Sequence, residues 1–522
     1  MRPVRNILFV MADQWRADYL GCEGHPTLRT PNLDALAARG VRFNRAYVQG
    51  TICGSSRMSF YTGRYVSSHG AFFNNVPLRI DESTLGEHLR RAGVRAAIVG
   101  KTHSVVDSEA LMRCGVDPAS RFAIYLANAG FEPFERDDGL FPTGRFGRLD
   151  SAYAQYLRAR GYASDNPWYD FANAVTDEDG RIRPGTDLRS ARYAARVDEA
   201  DSETAYMTRR AMSFVDDAGE RPWFLHLSYI KPHWPLVVPA PYHGMYSASD
   251  VLPAKIGDEY SGVHPVHRAF MGRHTSVLFT DPAVRGPAAA AYMGLMTQVD
   301  DHIGQLLAHL DKRGRLSDTM IVFTSDHGDY LGDHRLAEKE LFHEPSVRIP
   351  LIVASPSPAA EATRGTCCDA LIESIDLMPT FVEALGALLP SQAAEGRSLQ
   401  PWLHGQRPAH WRTEVRAEHD YSPWRDLRTR LQRPLDGCRC VMLRNERYKF
   451  IHYDGFEPQL FDLSEDPEEM HDRVPDGHHG ALLAHFYGRL IESTLRLRYH
   501  PTGDDRGVEA TQDRYLAAGL EP

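Results

Sequence analysis

Short apolar runs alternate along the chain with segments of helical periodicity. "NILFVMA" (6–12), "RAAIVG" (95–100), "WFLHLSYI" (223–230), "TMIVFTS" (319–325) and "IPLIVAS" (349–355) are each bounded by turn residues. Apolar character that is continuous rather than alternating fits strands buried on both faces, so these runs predict a mostly parallel sheet with helices on either side. The intervening segments read as those helices. In "TPNLDALAARG" (30–40), Thr30 stands as N-cap, Pro31 sits in the first turn, Leu33, Leu36 and Ala37 share one face, and Gly40 stops the helix. Segments 84–93, 202–219, 286–314 and 374–386 behave similarly. From about 105 to 200 the pattern loosens into aromatic, Asp and Gly residues, as in an insertion that covers a sheet edge and shapes a pocket. After about 435 the texture changes again: "CRCVMLRNERYKFIHYDG" alternates like a hairpin around "RNER", "PQLFDLSEDPEE" adds a strand and turn, and 480–497 is helical. The expected organisation is a large α/β domain over 1–430, a small antiparallel sheet with one helix over 431–500, and a polar tail over 501–522 that clasps a second subunit or stays disordered.

The totals narrow the class. A chain of 522 residues with 43% hydrophobic and 25% charged side chains builds a large core. An excess of 69 Asp plus Glu over 59 Lys plus Arg, net charge -10, argues against a general binder of nucleic acid or acidic membranes. Seven cysteines, an odd number in a long chain, read as mostly free thiols in a reducing compartment. The N-terminal apolar run is short and ends in Asp13 without a small-residue cleavage site, and no segment reaches the length of a membrane span, so cytoplasm is the expected location.

In a parallel sheet, ligands collect at the carboxyl ends of the strands, and four of these ends are loaded with chemistry. The first predicted strand runs into Asp13-Gln14, the second into "GKTH" (Lys101, His103), the third into "KPH" (Lys231, His233) and the fourth into "SDHGD" (Asp326, His327). Asp13, Asp326 and His327 supply two oxygen ligands and one imidazole, which suits one divalent cation; the imidazole leans towards manganese, whereas calcium would favour a further oxygen. Arg57, Lys101, His103, His233 and Lys339 are cations or donors, an inventory that fits a small tetrahedral oxyanion, phosphate or sulfate. Lys339, in "RLAEKELFHEP", is the least distinguished by spacing, since a Lys among Glu residues usually faces water.

"TICGSSRMSFYTGRY" (51–65) places a cysteine four residues before an arginine where a helix begins. Disulfide partner, metal ligand, small buried hydrophobe and catalytic precursor are all readings of a lone Cys53. A helix N-terminus there favours an anion, with Arg57 one turn on and on the same side. A cysteine phosphatase needs C-x5-R, but position 59 is Ser.

The C-x3-R spacing resembles the sulfatase signature C-x-P-S-R, whose cysteine is oxidised to formylglycine. "NILFVMADQWRADYLG", "TPNLDALAARGVRFNRAYV", "CGSSRMSFYTGRY", "VGKTH", "KPHWP", "FTSDHGDYLGDH" and "RYKFIHY…QLFDLSEDPEE" follow the same family order. Over nearly its full length the chain resembles the sulfatase and phosphonate monoester hydrolase branch of the alkaline phosphatase superfamily. The resemblance implies a metal shell of Asp13, Asp326, His327 and position 53, with Arg57 and Lys101 orienting and neutralising the nucleophile. It implies His103 as the base that releases the product, His233 and Lys339 at the leaving group, and Asn74 or its neighbour Asn75 as an oxyanion contact. A formylglycine-generating enzyme would be a partner during maturation, and multimeric relatives imply a homo-oligomer, dimer or tetramer.

Three departures bear on the reading. Ser55 stands where the signature has Pro, the position that the maturation enzyme reads. Gln14 and His327 replace an Asp and an Asn of typical arylsulfatases, as in phosphonate hydrolases and choline sulfatases. Lys101 and His103, conversely, are the sulfatase pair. The leading expectation is therefore a sulfate monoester hydrolase, with a phosphonate monoester or phosphodiester hydrolase as the alternative. A two-zinc phosphodiesterase would need a second Asp and His cluster that the sequence lacks, and an unmodified anion-binding protein would leave the basic residues without a role. Trp15, Tyr229 and Trp234 are the aromatic residues near the site in sequence, as stacking partners for a leaving group or as core packing.

Overall fold

The computed structural model describes residues 4–139, 151–257, 263–390 and 392–497, together with Ala517. Eight strands form the main sheet: β1 (Asn6–Ala12), β2 (Val41–Phe43), β3 (Arg95–Gly100), β4 (Glu132–Arg136), β5 (Trp223–Tyr229), β6 (Thr319–Thr324), β7 (Leu351–Ala354) and β8 (Thr366–Cys368). Their spatial order is β8-β2-β7-β6-β1-β5-β3-β4. β1 pairs in parallel with β5 and β6, β3 with β5 and β4, and β8 with β2, while β7 runs against both of its neighbours. All five apolar runs are strands of this sheet, as their patterning predicts.

Continuous apolarity follows from burial on both faces. In β1, Ile7, Phe9 and Met11 enter the core on one side, and Leu8, Val10 and Ala12 the core on the other. The first core is capped by α1 (Cys53–Thr62) through Met58, Phe60 and Tyr61. The second is covered by α2 (Glu203–Ala218) and α3 (Pro282–Lys312), through Phe214, Tyr292 and Leu295 among others.

Besides the three-residue strands β2 and β8, two longer strands escape the pattern. β4, "EPFER", lies inside the 105–200 segment, so that segment completes the sheet edge between its short helices and ahead of the hairpin of Ala174–Thr176 with Ile182–Pro184. An edge strand with only one fully buried residue needs no apolar run. The C-terminal antiparallel sheet has four strands, β9 (Glu414–Asp420), β10 (Arg439–Asn445), β11 (Tyr448–Tyr453) and β12 (Gln459–Asp462). β9 precedes the expected boundary at 430; its "EVRAEHD" reads as polar because Arg416 and Glu418 are buried as a pair, 2.9 Å apart. Helix α4 (Gly480–Leu495) seats Phe486 against Leu443, Phe450 and Leu460. Apart from Ala517, the tail and the subunit contact expected of it fall outside the described residues. Among the described residues, no helix is long and apolar enough to cross a membrane.

Lys449 of β11 ties the two sheets together. Its fully buried ammonium donates to the Phe342 carbonyl at 2.8 Å, pairs with Glu344 at 3.0 Å and also pairs with Glu469.

Burial also sets the acid tolerance of the fold. Burial, with Arg64 beside the first and Arg57 beside the second, pushes His69 and His226 down to about 3. Both are neutral when folded, whereas an unfolded histidine takes up a proton near pH 6.5. Below that value the unfolded chain binds more protons, so stability is lost as pH falls from about 6.5 towards 3. Urea unfolding should show a loss of about 2 kcal/mol per such histidine between pH 7 and pH 5; unfolding free energies unchanged over that interval would contradict the assignment.

Candidate active site

Because β1, β3, β5 and β6 run in one direction, their carboxyl ends bring Asp13, Lys101, the turn carrying His233, and Asp326-His327 to the same edge. α1 begins at that edge with Cys53 as its first residue, 1% exposed. Its N-cap, Ile52, has extended backbone and no capping side chain, so the first amides look elsewhere: Asn74 Oδ1 accepts from Gly54 N at 2.8 Å. Small residues are required here. A Cβ at Gly54 would lie 2.9 Å from Asn74 Cα and 3.0 Å from the Phe73 carbonyl oxygen. Ser55 folds its hydroxyl onto the Ile52 carbonyl at 3.1 Å, and the helix starts without the proline of the signature.

Arg57, one turn on, is fully buried and spends its guanidinium on four partners. Nε donates to Asp326 Oδ2 at 2.8 Å, Nη2 to Asp13 Oδ2 at 3.2 Å, and Nη1 to the Lys101 carbonyl at 2.9 Å and Ser228 Oγ at 2.7 Å. Lys101 Nζ donates to the same Asp13 oxygen. Gly100 turns the chain into Lys101 with φ +101°, and a Cβ there would stand 2.0 Å from the Ser228 carbonyl oxygen. The turn is then fixed by Asp138, whose Oδ1 accepts from Thr102 N at 2.8 Å and His103 N at 2.9 Å. Burial alone would raise the Asp138 carboxyl, but Arg136 and the His103 amide bring it down to about 2.

Lys339 enters from a loop. Its Nζ donates to Gln14 Oε1 at 2.8 Å and to His233 Nε2 at 3.0 Å. His233 Nδ1 donates to the Trp234 carbonyl at 2.6 Å, which leaves Nε2 as the acceptor that Lys339 needs. The Gln14 amide is braced by donation to Asp329. The loops that carry these groups hold several non-glycine residues in the left-handed region: Gln14, His103, Leu331, His334, Arg335, Glu338 and Glu340. Such conformations persist where surroundings over-determine them, which is common at functional sites.

One donor atom each from Asp13, Cys53, Asp326 and His327 lies within 4.8 Å of the others, and all four residues are buried. His327 Nδ1 donates to the Gly328 carbonyl at 2.9 Å, so its Nε2 lone pair points inward, 3.1 Å from Cys53 Sγ. Two carboxylates, an imidazole acceptor and position 53 thus fit a single divalent cation. Burial opposes ionisation of the Cys53 thiol, but Lys101, Lys339, His327 and contact with His103 hold its pKa well below the ordinary value. Burial and Cys53 likewise act to raise Asp13, yet Lys101, His233 and Arg57 keep it below the usual carboxylate range. The ten residues given metal, catalytic or oxyanion roles gather at this edge, with Asn74 rather than exposed Asn75 touching the start of α1, whereas Lys231 turns away to the Asn173 side chain and the Pro235 carbonyl. Trp15 and Tyr229 are 0% exposed core residues, and half-buried Trp234 packs on the second core. Asp138, Asp329 and Ser228 were not singled out: Asp138 follows the unpredicted β4, and the other two act only through the residues they orient.

The sulfatase family profile matches residues 5–387, and a profile described as N-sulphoglucosamine sulphohydrolase, C-terminal, matches 332–495. The chain is 33% identical to the multifunctional alkaline phosphatase superfamily protein PehA of Trinickia caryophylli, over 94% of this chain and 95% of that one. It is 27% identical to an arylsulfatase of Clostridium perfringens, over 90% of each. Among solved structures, the phosphonate monoester hydrolase SpPMH of Silicibacter pomeroyi superposes with a TM-score of 0.83 at 30% identity, covering 95% of this chain and 96% of that one.

The electrostatics make a direct prediction for unconverted, metal-free protein. Thiolate absorbance near 240 nm, absent in Cys53→Ser, should appear well below the ordinary cysteine range. Lys101→Met should move that titration upward by about one pH unit or more. A Cys53 thiol that titrates normally and ignores Lys101 would refute the account.

Proposed function

The chain belongs to the sulfatase family, and on that premise we propose that it is a sulfate monoester hydrolase of arylsulfatase type acting through formylglycine formed from Cys53. The observation that carries the reading is the delivery of Cys53, by a helix start built of small residues, into the four-donor cluster with Arg57, Lys101, His103, His233 and Lys339 around it. A divalent cation held by Asp13, Asp326, His327 and position 53, manganese preferred over calcium because of the imidazole, would supply Lewis-acid neutralisation of charge.

The chain's own groups account for the rest. Arg57 and Lys101 offset charge on the oxygen of position 53 that bonds to sulfur. His233 and Lys339, already sharing a hydrogen bond, deliver a proton to the departing alcohol oxygen as its bond to sulfur breaks. His103, hinged at the Asp138-bound turn, takes the proton of the second hydroxyl of position 53. Formylglycine at position 53, as its hydrate, would supply that second hydroxyl, whose loss of a proton to His103 would allow sulfate release by carbon–oxygen cleavage. Asn74 orients from the other end of the helix start. A formylglycine-generating enzyme converts Cys53, and the mature protein is read as a cytoplasmic homo-oligomer, dimer or tetramer.

A second reading, a phosphonate monoester or phosphodiester hydrolase with the same machinery, is favoured by Gln14 and His327 and by the likeness to SpPMH. Lys101 and His103 favour the sulfatase.

Three measurements test this. The peptide carrying position 53 should lose sulfur on conversion, by intact mass. Cys53→Ala should lower turnover about 10^4-fold or more, and chelation should abolish it reversibly. Aryl sulfate should be cleaved at least about tenfold faster than the matching phosphonate monoester; the reverse order selects the second reading, and full activity in Cys53→Ala ends both.

A further inference from the structure

Helix α4 is apolar on two opposite faces, and the fold accounts for one of them. Leu483, Phe486 and Leu490 repeat at spacings of three and four and pack on the antiparallel sheet. Arg489, paired with Glu414 at 2.6 Å, and Ser493, whose Oγ accepts from Arg416 Nη1 at 2.8 Å, fix the helix in that rotation. At about 100° per residue, Ala481, Ala484, Gly488, Ile491 and Leu495 then fall on the opposite face. All five are exposed, Ile491 by 61% and Leu495 by 80%. No charged side chain interrupts this stripe, although a helix face turned to water is ordinarily charged.

Gly488 and the order of sizes identify what covers it. Glycine weakens the middle of a helix relative to alanine, yet a Cβ at Gly488 would meet nothing within 4 Å beyond its own helix, so among the described residues nothing asks for glycine there. A second backbone approaching that face does. Small residues occupy the first half of the stripe and large ones the second. A parallel neighbour would set large residues against large and leave a gap beside the small ones. An antiparallel second copy crossing at Gly488 sets Leu495 against Ala481 of the partner subunit and Ile491 against Ala484 of the partner subunit, and the same contacts recur in reverse. Such reciprocity is what a two-fold axis demands. His485 and Glu492, both exposed, share one flank of the stripe, and this register lays each imidazole beside the carboxylate of the other copy. About 24 Å of helix, a contact at the small end of interface sizes, suits a reversible dimer.

We propose that α4 is the two-fold contact of a homodimer, with the exposed stripes of two copies packed antiparallel about Gly488. The inference rests on the homo-oligomer reading above, to which it adds the surface and its register. Sedimentation velocity over a concentration series of the full chain should show the dimer, and Ile491→Glu should raise its dissociation constant at least about tenfold with the unfolding midpoint of the monomer unchanged. Gly488→Ala separates the dimer contact from the helix itself. The added methyl group should raise the unfolding midpoint of the monomer through helix propensity and weaken the dimer about tenfold through the closed crossing. That variant carries the test if Ile491→Glu fails to fold.

Cross-linking reads the register. Under mild oxidation Gly488→Cys should form a disulfide between copies, identified by the mass of its tryptic peptide joined to itself, whereas Ala481→Cys, roughly 21 Å from its counterpart in the antiparallel pair, should not. Cross-links at both positions would mean parallel pairing and overturn the proposal. A wild type that stays monomeric at every concentration ends the homo-oligomer reading together with this surface. A dimer that ignores Ile491→Glu and Gly488→Ala and gives no Gly488→Cys cross-link keeps the homo-oligomer and overturns the surface, the result expected if residues 498–522 of the same chain cover α4.

Discussion

One guanidinium holds the reacting edge together. Arg57 touches a residue at the end of each of four neighbouring strands: Asp13 after β1, the Lys101 carbonyl after β3, Ser228 in β5 and Asp326 after β6. Removing carboxylates and a guanidinium from water costs several kcal/mol per ion, and the attraction between them offsets this only when every donor and acceptor is matched. The planar, forked head of arginine meets that condition in the available space, whereas a lysine ammonium would leave at least one carboxylate or carbonyl unanswered. The residue that orders the site electrically is therefore also the one that locks the strand ends in register with α1.

Around that fixed point, function is distributed over backbone that resists its own conformational preference. Gln14 and His103 adopt left-handed geometry immediately after β1 and β3, and the 331–340 loop contains five more such residues on either side of Lys339. The conformations at His103, Gln14 and Glu340 are held by particular partners. Asp138 receives the amides of the Lys101–His103 turn, Asp329 receives the Gln14 side chain, and Thr51 anchors the Glu340 carbonyl. The strain is thus local and directional, and it serves to aim cations at one point.

Much of this was legible in the chain itself. A strand buried on both faces must be apolar throughout, so a run such as "TMIVFTS" breaking into "SDHGD" announces both the strand and the site at its end. β4 and β9 were not legible because partial exposure in one, and internal charge pairing in the other, remove the need for apolar runs. Lys339 carried no local signal, since a loop of left-handed residues decides where it points.

The burial of Lys449 has a consequence for ancestry. Its ammonium, itself away from water, is matched by Glu344 and the Phe342 carbonyl from one sheet's loop and by Glu469 from its own neighbourhood. Genetic recombination that replaced the C-terminal segment with an unrelated one would leave the buried Phe342 carbonyl and the Glu344 carboxylate without their cation. Inheritance of the two parts together avoids that penalty.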